Sequence, residues 1–245
     1  MQVIVTKTFD GASDVVAEMI ADLVRSNPSA KLGLATGSTP EGVYERLAKM
    51  CANGLDFSKV STVNLDEYRG IPGDNPISYR YFMNDKLFNH ININKENTFV
   101  PSGVNDLEEE LELFRHKIYA GQIDMQLLGI GPNGHVGFNE PSDKLHRTAH
   151  MEKLTQSTIT ANARFFQNES EVPTEAVTMG MGDILSAGSI ILLAGGAGKA
   201  EAIKALIMDD YITTKVPATF IKMHDNATVV IDYELAKMAG YKINA

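Results

Sequence analysis

Residues Lys31–Pro40 read KLGLATGSTP. Lys31–Ala35 is a short apolar run, as expected of a strand covered on both faces. Small and hydroxyl-bearing residues then turn the chain, and Pro40 suits the first turn of a following helix. Strand, tight turn and helix start follow one another without a spacer. The same kind of unit recurs on either side. Gln2–Thr6, Val60–Leu65, Met125–Ile130, Ser189–Leu193 and Thr228–Ile231 are further short, apolar, often β-branched runs. Helical periodicity lies between them. Val15, Val16, Met19, Ile20, Leu23 and Val24 make one apolar face, and Leu107, Leu111, Phe114 and Ile118 another, with Asn105 and Glu108 at capping positions. This alternation predicts an α/β fold with a mostly parallel sheet and helices on both faces. No repeat or linker interrupts it, so residues 1–245 read as one domain. The acidic run Glu108–Glu112 reads as the wet side of a helix.

Composition narrows the partners. The 245 residues carry a net charge of −9. That balance argues against nucleic acid or an anionic membrane as a partner, while a local cationic pocket could still hold an anionic small molecule. No apolar run is long enough to span a bilayer. The start, MQVIVTKTFDGASD, lacks the basic and long apolar regions of a secretory signal. The single cysteine, Cys51, excludes an intramolecular disulfide and points to a reducing, cytoplasmic setting. The six histidines are scattered, and no Cys/His spacing suggests zinc, so no metal is expected.

Open α/β sheets bind ligands beyond the carboxyl ends of their strands. Four segments lie there. Ala35–Pro40 offers Gly37, Ser38 and Thr39 at a helix start, where free N–H groups and hydroxyls suit a phosphate. It lacks the lysine of a nucleotide P-loop. Asn64–Tyr68, NLDEY, places Asp66 and Glu67 in a loop after a strand, where one carboxylate could remove a proton next to a carbonyl. Leu127–Pro141, LLGIGPNGHVGFNEP, brings His135 close to Glu140, with Asn133 and Asn139 alongside. A neutral-pH proton carrier beside a carboxylate is equipment for acid–base work. Its glycines formally match a dinucleotide fingerprint, but Pro132 and the following HVGFNEP do not open a long helix. Ala194–Ala200, AGGAGKA, sets Lys199 in the first turn of a helix. A cation conflicts with the helix dipole there, and a bound phosphate would remove the conflict. In Thr160–Phe166, TANARFF, Arg164 reads either as a phosphate clamp or as a surface arginine.

Taken in order, LGLATGSTP, NLDEY, SYRYFM (Ser78–Met83), LLGIGPNGHVGFNEP, ANARFF and VPATFI resemble the glucosamine-6-phosphate deaminase family over nearly the whole chain. The resemblance implies a modified doubly wound, Rossmann-like fold shared with ribose-5-phosphate isomerases and 6-phosphogluconolactonases. It implies conversion of glucosamine 6-phosphate and water to fructose 6-phosphate and ammonia, without cofactor. Asp66 would carry a proton from C2 to C1. His135 would assist ring opening, oriented by Glu140. Ser38, Thr39, Arg164 and Lys199 would hold the phosphate.

Two departures stand out. Asn133 replaces the aspartate of the best-known enteric members, and can hydrogen-bond His135 without charging it. The stretch after NEP carries His150 and Glu152 where allosteric hexamers carry basic residues for an N-acetylated activator. Glu152 would repel its phosphate, so allosteric activation is not expected. Monomeric and homo-oligomeric states both stay open, as does a mobile lid at about 144–168. Competing readings are a 6-phosphogluconolactonase, a plain aldose–ketose isomerase and a non-catalytic sugar-phosphate sensor. The sensor reading lacks a DNA-binding extension.

Overall fold

The computed structural model describes residues 1–163 and 166–242. In chain order its strands and helices are β1 (Gln2–Thr6), α1 (Phe9–Ser26), β2 (Lys31–Leu34), α2 (Glu41–Ala52), β3 (Ser61–Asn64), β4 (Asp66–Tyr68), α3 (Tyr79–Met83), β5 (Thr98–Phe99), α4 (Leu107–Tyr119), β6 (Met125–Leu128), β7 (His150–Lys153), α5 (Gln156–Asn162), β8 (Glu175–Thr178), α6 (Met181–Leu185), β9 (Ile190–Ala194), α7 (Ala200–Ile207), β10 (Ala227–Asp232) and α8 (Tyr233–Met238). Among the described residues, seven strands form a parallel sheet in the order β1-β10-β9-β6-β2-β3-β5. Three more, β4-β8-β7, form a small antiparallel sheet.

Strand pleating sorts the core onto two faces. Leu32, Leu34, Leu127, Ile191 and Leu193 pack toward α1 and α2 through Val16, Ile20, Val43 and Leu47. Val63, Leu128, Ile190, Leu192, Val229 and Ile231 pack toward α4, α7 and α8 through Phe114, Ile118, Ile203, Leu206 and Leu235. A sheet buried on both faces needs apolar residues at nearly every position, which is why its strands read as continuous apolar runs. Among the described residues, no helix is long and apolar enough to cross a membrane.

The strand order reverses between β2 and β6. Successive strands lead outward through β3 and β5, and the chain then returns to place β6 against the other edge of β2. Gly33 lets these two strands share a crowded neighbourhood. A Cβ there would lie 2.0 Å from Oε1 of the buried Gln126. The loops after β2 and β6 diverge over this junction and open a crevice, as expected at a topological switch point.

Three local expectations change. NLDEY is not a loop. After β3 the chain crosses to the small sheet at Leu65, whose N–H donates to Leu34 O (3.1 Å) and whose carbonyl accepts from Met179 N (2.8 Å), and Asp66–Tyr68 continue as β4. The N-cap of α4 is Asp106, not Asn105. Its Oδ1 accepts from the N–H groups of Glu108 (3.0 Å) and Glu109 (3.2 Å), which a carboxylate does with added favour from the helix dipole. The acidic face is also not wholly wet. Glu110 is buried, accepting from Ser102 N (2.9 Å) and Asn105 Nδ2 (2.8 Å), and so ties the helix to the loop before it.

Candidate active site

The crevice is a cavity of ≈ 240 Å³, lined from the ends of four adjacent parallel strands and by α5. Residues 35–39 follow β2, Leu65 and Asp66 follow β3, residues 129–138 follow β6, and Lys199 follows β9.

The loop after β2 is held from beneath. Tyr44, fully buried on α2, donates its hydroxyl to Ala35 O (2.5 Å). Gly37 has φ +87°, a conformation other residues rarely adopt, and it turns Ser38 and Thr39 over the crevice. Lys199 comes from the turn before α7, and its Nζ donates to Thr39 Oγ1 (3.2 Å). The hydroxyl-rich loop and the cation, distant in sequence, thus converge on one end of the cavity. Arg164 lies outside the described residues.

Asp66 opens β4 and lines the cavity, while Glu67 points the other way. Burial, reinforced by the neighbouring Glu67 charge, pushes the Asp66 carboxyl up to about 8. Burial also raises Glu67, to about 7, but three backbone N–H groups oppose the shift: Tyr68 (2.9 Å), Tyr79 (2.9 Å) and Arg80 (3.1 Å). Glu67 therefore anchors the start of α3, and Asp66 is the carboxyl of the pair that faces the cavity.

His135 sits on the turn after β6. The imidazole lies flat over Gly131, where a Cβ would come within 2.4–2.6 Å of three ring atoms. Nδ1 is 3.5 Å from Glu140 Oε2 and 3.4 Å from Thr158 Oγ1. The Thr158 hydroxyl donates to Glu140 Oε1, so its oxygen can accept from an Nδ1–H. Nε2 is then the nitrogen left for chemistry in the cavity. Asn133 also donates, from Nδ2 to Glu140 Oε2 (2.8 Å), and its Oδ1 accepts from the backbone N–H of His135 (3.2 Å). Asn133 thus hydrogen-bonds His135 as expected, but at its backbone N–H and not at the ring. It also holds Glu140. For Glu140, burial works against the charged form, but hydrogen bonding and charge from His135, with the Thr158 and Asn133 bonds, hold the carboxyl below its ordinary value.

The rest of the loop is supporting structure. Asn139 donates Nδ2 to Val136 O (2.9 Å) and Met179 O (2.8 Å), fastening the NEP corner to the strand after Asp66's partner Thr178. Gly134, at φ +84°, passes so close to Val216 that a Cβ would lie 2.5 Å from its Cγ1, and Gly134 O accepts from Ala218 N (2.9 Å). The VPATFI segment is therefore the floor beneath the turn.

Several contributors were not assigned from the sequence. Thr158 is buried on α5 and is reached only through folding. Asn162, also on α5, lines the cavity and donates to Tyr68 Oη (2.8 Å). Tyr79 and Phe138 stack at 6.2 Å with 8° between their planes and form an apolar wall. Both lie in the SYRYFM and GHVGF tracts, so the signal was present but unassigned.

A hydroxyl–lysine anion cradle, a buried elevated carboxyl and a carboxylate-oriented histidine in one crevice suit proton transfer on a small phosphorylated substrate. Comparisons with known proteins point to one family. The chain matches the profile of the glucosamine-6-phosphate isomerases/6-phosphogluconolactonase family over residues 6–230. It is 52% identical over 239 residues to a glucosamine-6-phosphate deaminase of Clostridium beijerinckii, covering 96% of this chain and 98% of that protein. A glucosamine-6-phosphate deaminase of Halothermothrix orenii is 46% identical, covering 97% and 100%. Among solved structures, a monomeric glucosamine-6-phosphate deaminase superposes with a TM-score of 0.94 at 41% identity, covering 97% of this chain and 100% of that one. A 6-phosphogluconolactonase of Trypanosoma brucei, at TM-score 0.78 and 19% identity over 96% and 97% of the two chains, shares the fold. The chain belongs to the glucosamine-6-phosphate isomerase/6-phosphogluconolactonase family.

Proposed function

We propose that this protein is a glucosamine-6-phosphate deaminase, releasing ammonia from glucosamine 6-phosphate and leaving fructose 6-phosphate. The observation that carries the reading is the pairing in one cavity of Asp66, buried and raised to about 8, with the Glu140-oriented His135.

The phosphate lies against Gly37, Ser38, Thr39 and Lys199, with Arg164 added by the family pattern. This fixes the sugar's reacting carbons over Asp66, and such positioning is worth about 7–11 kcal/mol. His135 Nε2 takes the proton of the C1 hydroxyl and delivers one to the ring oxygen, opening the ring to the aldehyde. Glu140 compensates the charge that the imidazole gains in transit. The aldehyde acidifies the C2 hydrogen. Asp66 removes it as O1 gains a proton, giving an enolamine, and then returns a proton to C1. The C2 iminium that results adds water and expels ammonia. An elevated carboxyl pKa suits this task, because a stronger base shares the proton more evenly with carbon.

In the same reading the closing role expected within 144–168 falls to α5, which supplies Thr158 and Asn162, while β7 stays fixed in the small sheet. The protein works in the cytoplasm on a small-molecule substrate, in keeping with its single Cys51.

The test is ammonia release from glucosamine 6-phosphate by the wild type and by Asp66→Asn. Release by the wild type, with a loss of about 10²–10⁴-fold in the variant, is expected. A folded wild type that releases no ammonia but hydrolyses 6-phosphogluconolactone would overturn the proposal.

A further inference from the structure

A second cluster of ligand-type side chains lies outside the cavity. His146, His150 and Glu152 bring one ligand atom each to within 4.8 Å of one another, and none of the three lines the active-site cavity. We propose that these residues form a binding site for a divalent transition-metal cation of the zinc class.

The donor set fits such a cation. Two imidazoles and one carboxylate are borderline ligands that suit zinc and its neighbours better than magnesium or calcium. His150 Nε2 and Glu152 Oε2 stand 3.2 Å apart. Ligand bonds of about 2.0–2.1 Å in a tetrahedron put ligand atoms about 3.3 Å apart, so this edge is already formed. His150 Nδ1 lies 3.0 Å from Thr148 O and must donate to it, because a carbonyl only accepts. In the neutral ring the Nε2 lone pair therefore faces a carboxylate oxygen, and a cation between them satisfies both. A backbone carbonyl holding the remote N–H of a ligating histidine is the usual outer arrangement of a metal site.

The supporting backbone is rigid. His150 and Glu152 alternate on β7 and so project from one face of the small sheet, in register with Thr178 and Ala176 of β8. His146 stands on a turn pinned to the start of α6, where Met181 N donates to His146 O (2.9 Å) and Asp183 N to Arg147 O (3.1 Å). Its ring stacks on that of His150 with centroids 4.1 Å apart. Rotation of this exposed side chain closes the third ligand bond and leaves one position for water. The 146, 150, 152 spacing becomes a triangle only when the turn folds back on β7. A bound cation would brace the connection between Glu140 and Thr158, which meet at His135.

Untagged, metal-stripped protein titrated with Zn2+ by calorimetry, and with Co2+ by visible absorption, provides the test. One equivalent is expected to bind with a dissociation constant in the micromolar range or below. Co2+ should give the visible bands of a low-coordinate site, and 1 mM Mg2+ should not displace it. His146→Gln and Glu152→Gln, which alter side chains with solvent exposure and preserve the buried His150, should each weaken binding at least 10-fold while the circular dichroism spectrum stays unchanged. Failure of the wild type to bind either ion saturably, or binding that survives both substitutions undiminished, overturns the site.

Discussion

Asp66 and Glu67 are consecutive residues of β4, and the pleat of the strand sends one carboxylate into the cavity and the other onto three backbone N–H groups. The two remain close enough for the charge on Glu67 to raise Asp66. Hydrogen bonding decides which of them keeps its proton. These bonds offset part of the burial penalty on Glu67, so Glu67 ionises more readily and Asp66 is the stronger base.

The first consequence concerns the pH dependence of turnover. In the proposed reaction Asp66 takes a proton from carbon and must be ionised to do so, so kcat/KM should rise with pH through an acid limb centred near the Asp66 value of about 8 in the free enzyme. Glu67→Gln removes the neighbouring charge and should move that limb to lower pH. Initial rates measured from pH 5 to about 10 check both, and a limb that stays in place in the variant rules out the charge coupling.

Stability should run the other way. A carboxyl raised from 3.8 to about 8 favours the folded state only while protonated. Its contribution is full below the unfolded value near 4 and is lost as pH rises toward 8. Asp66→Asn removes this penalty. Discounted for water reaching the open cavity, the gain above pH 8 is about 1–3 kcal/mol, shrinking to nothing near pH 4. Melting temperatures of the two proteins across this range should diverge as pH rises; equal slopes would contradict it.

Thr158 is placed to act through His135 and Glu140 and not on substrate. Thr158→Val preserves shape while removing the bond to Glu140. Hydrogen bonds to charged groups contribute about 1.5–3 kcal/mol, so kcat should fall about 10- to 100-fold with little change in KM. Serine at this position should restore most of the rate. A valine variant with unchanged kcat would show that Asn133 alone suffices to hold Glu140.

Gly131 carries a sharper geometric constraint. A methyl group there would overlap the imidazole of His135, since three ring atoms lie within 2.6 Å of the Cβ position. Gly131→Ala should fold, because the ring has cavity space to move into, and should lose at least about 10²-fold in kcat through misplacement of the acid–base group. A crystal structure of the variant should show His135 displaced from Glu140; an undisturbed ring with full activity would refute the constraint.

Six of the seven strands described in the large sheet were legible from sequence, because the central ones are buried on both faces and read as apolar runs flanked by helical periodicity, whereas β5, two residues at the edge, was not. All six anticipated strands occur, shifted by at most two residues at either end. The small sheet was not legible. Its strands hold only three or four residues each, DEY among them, and pairing of β4 with β8 joins segments more than a hundred positions apart. Such pairing leaves no local pattern. The same division runs through the site. His135 beside Glu140 lies within one glycine-rich turn, so chain geometry alone brought them together. The split between Asp66 and Glu67 needed the pleat of β4, and the approach of Thr158 to Glu140 and of Lys199 to Thr39 needed whole elements to pack. Local sequence fixes periodicity and turns, which are short-range steric effects. Which distant side chains share a cavity, and therefore which carboxyl is desolvated and which is anchored, is decided only when the sheets close.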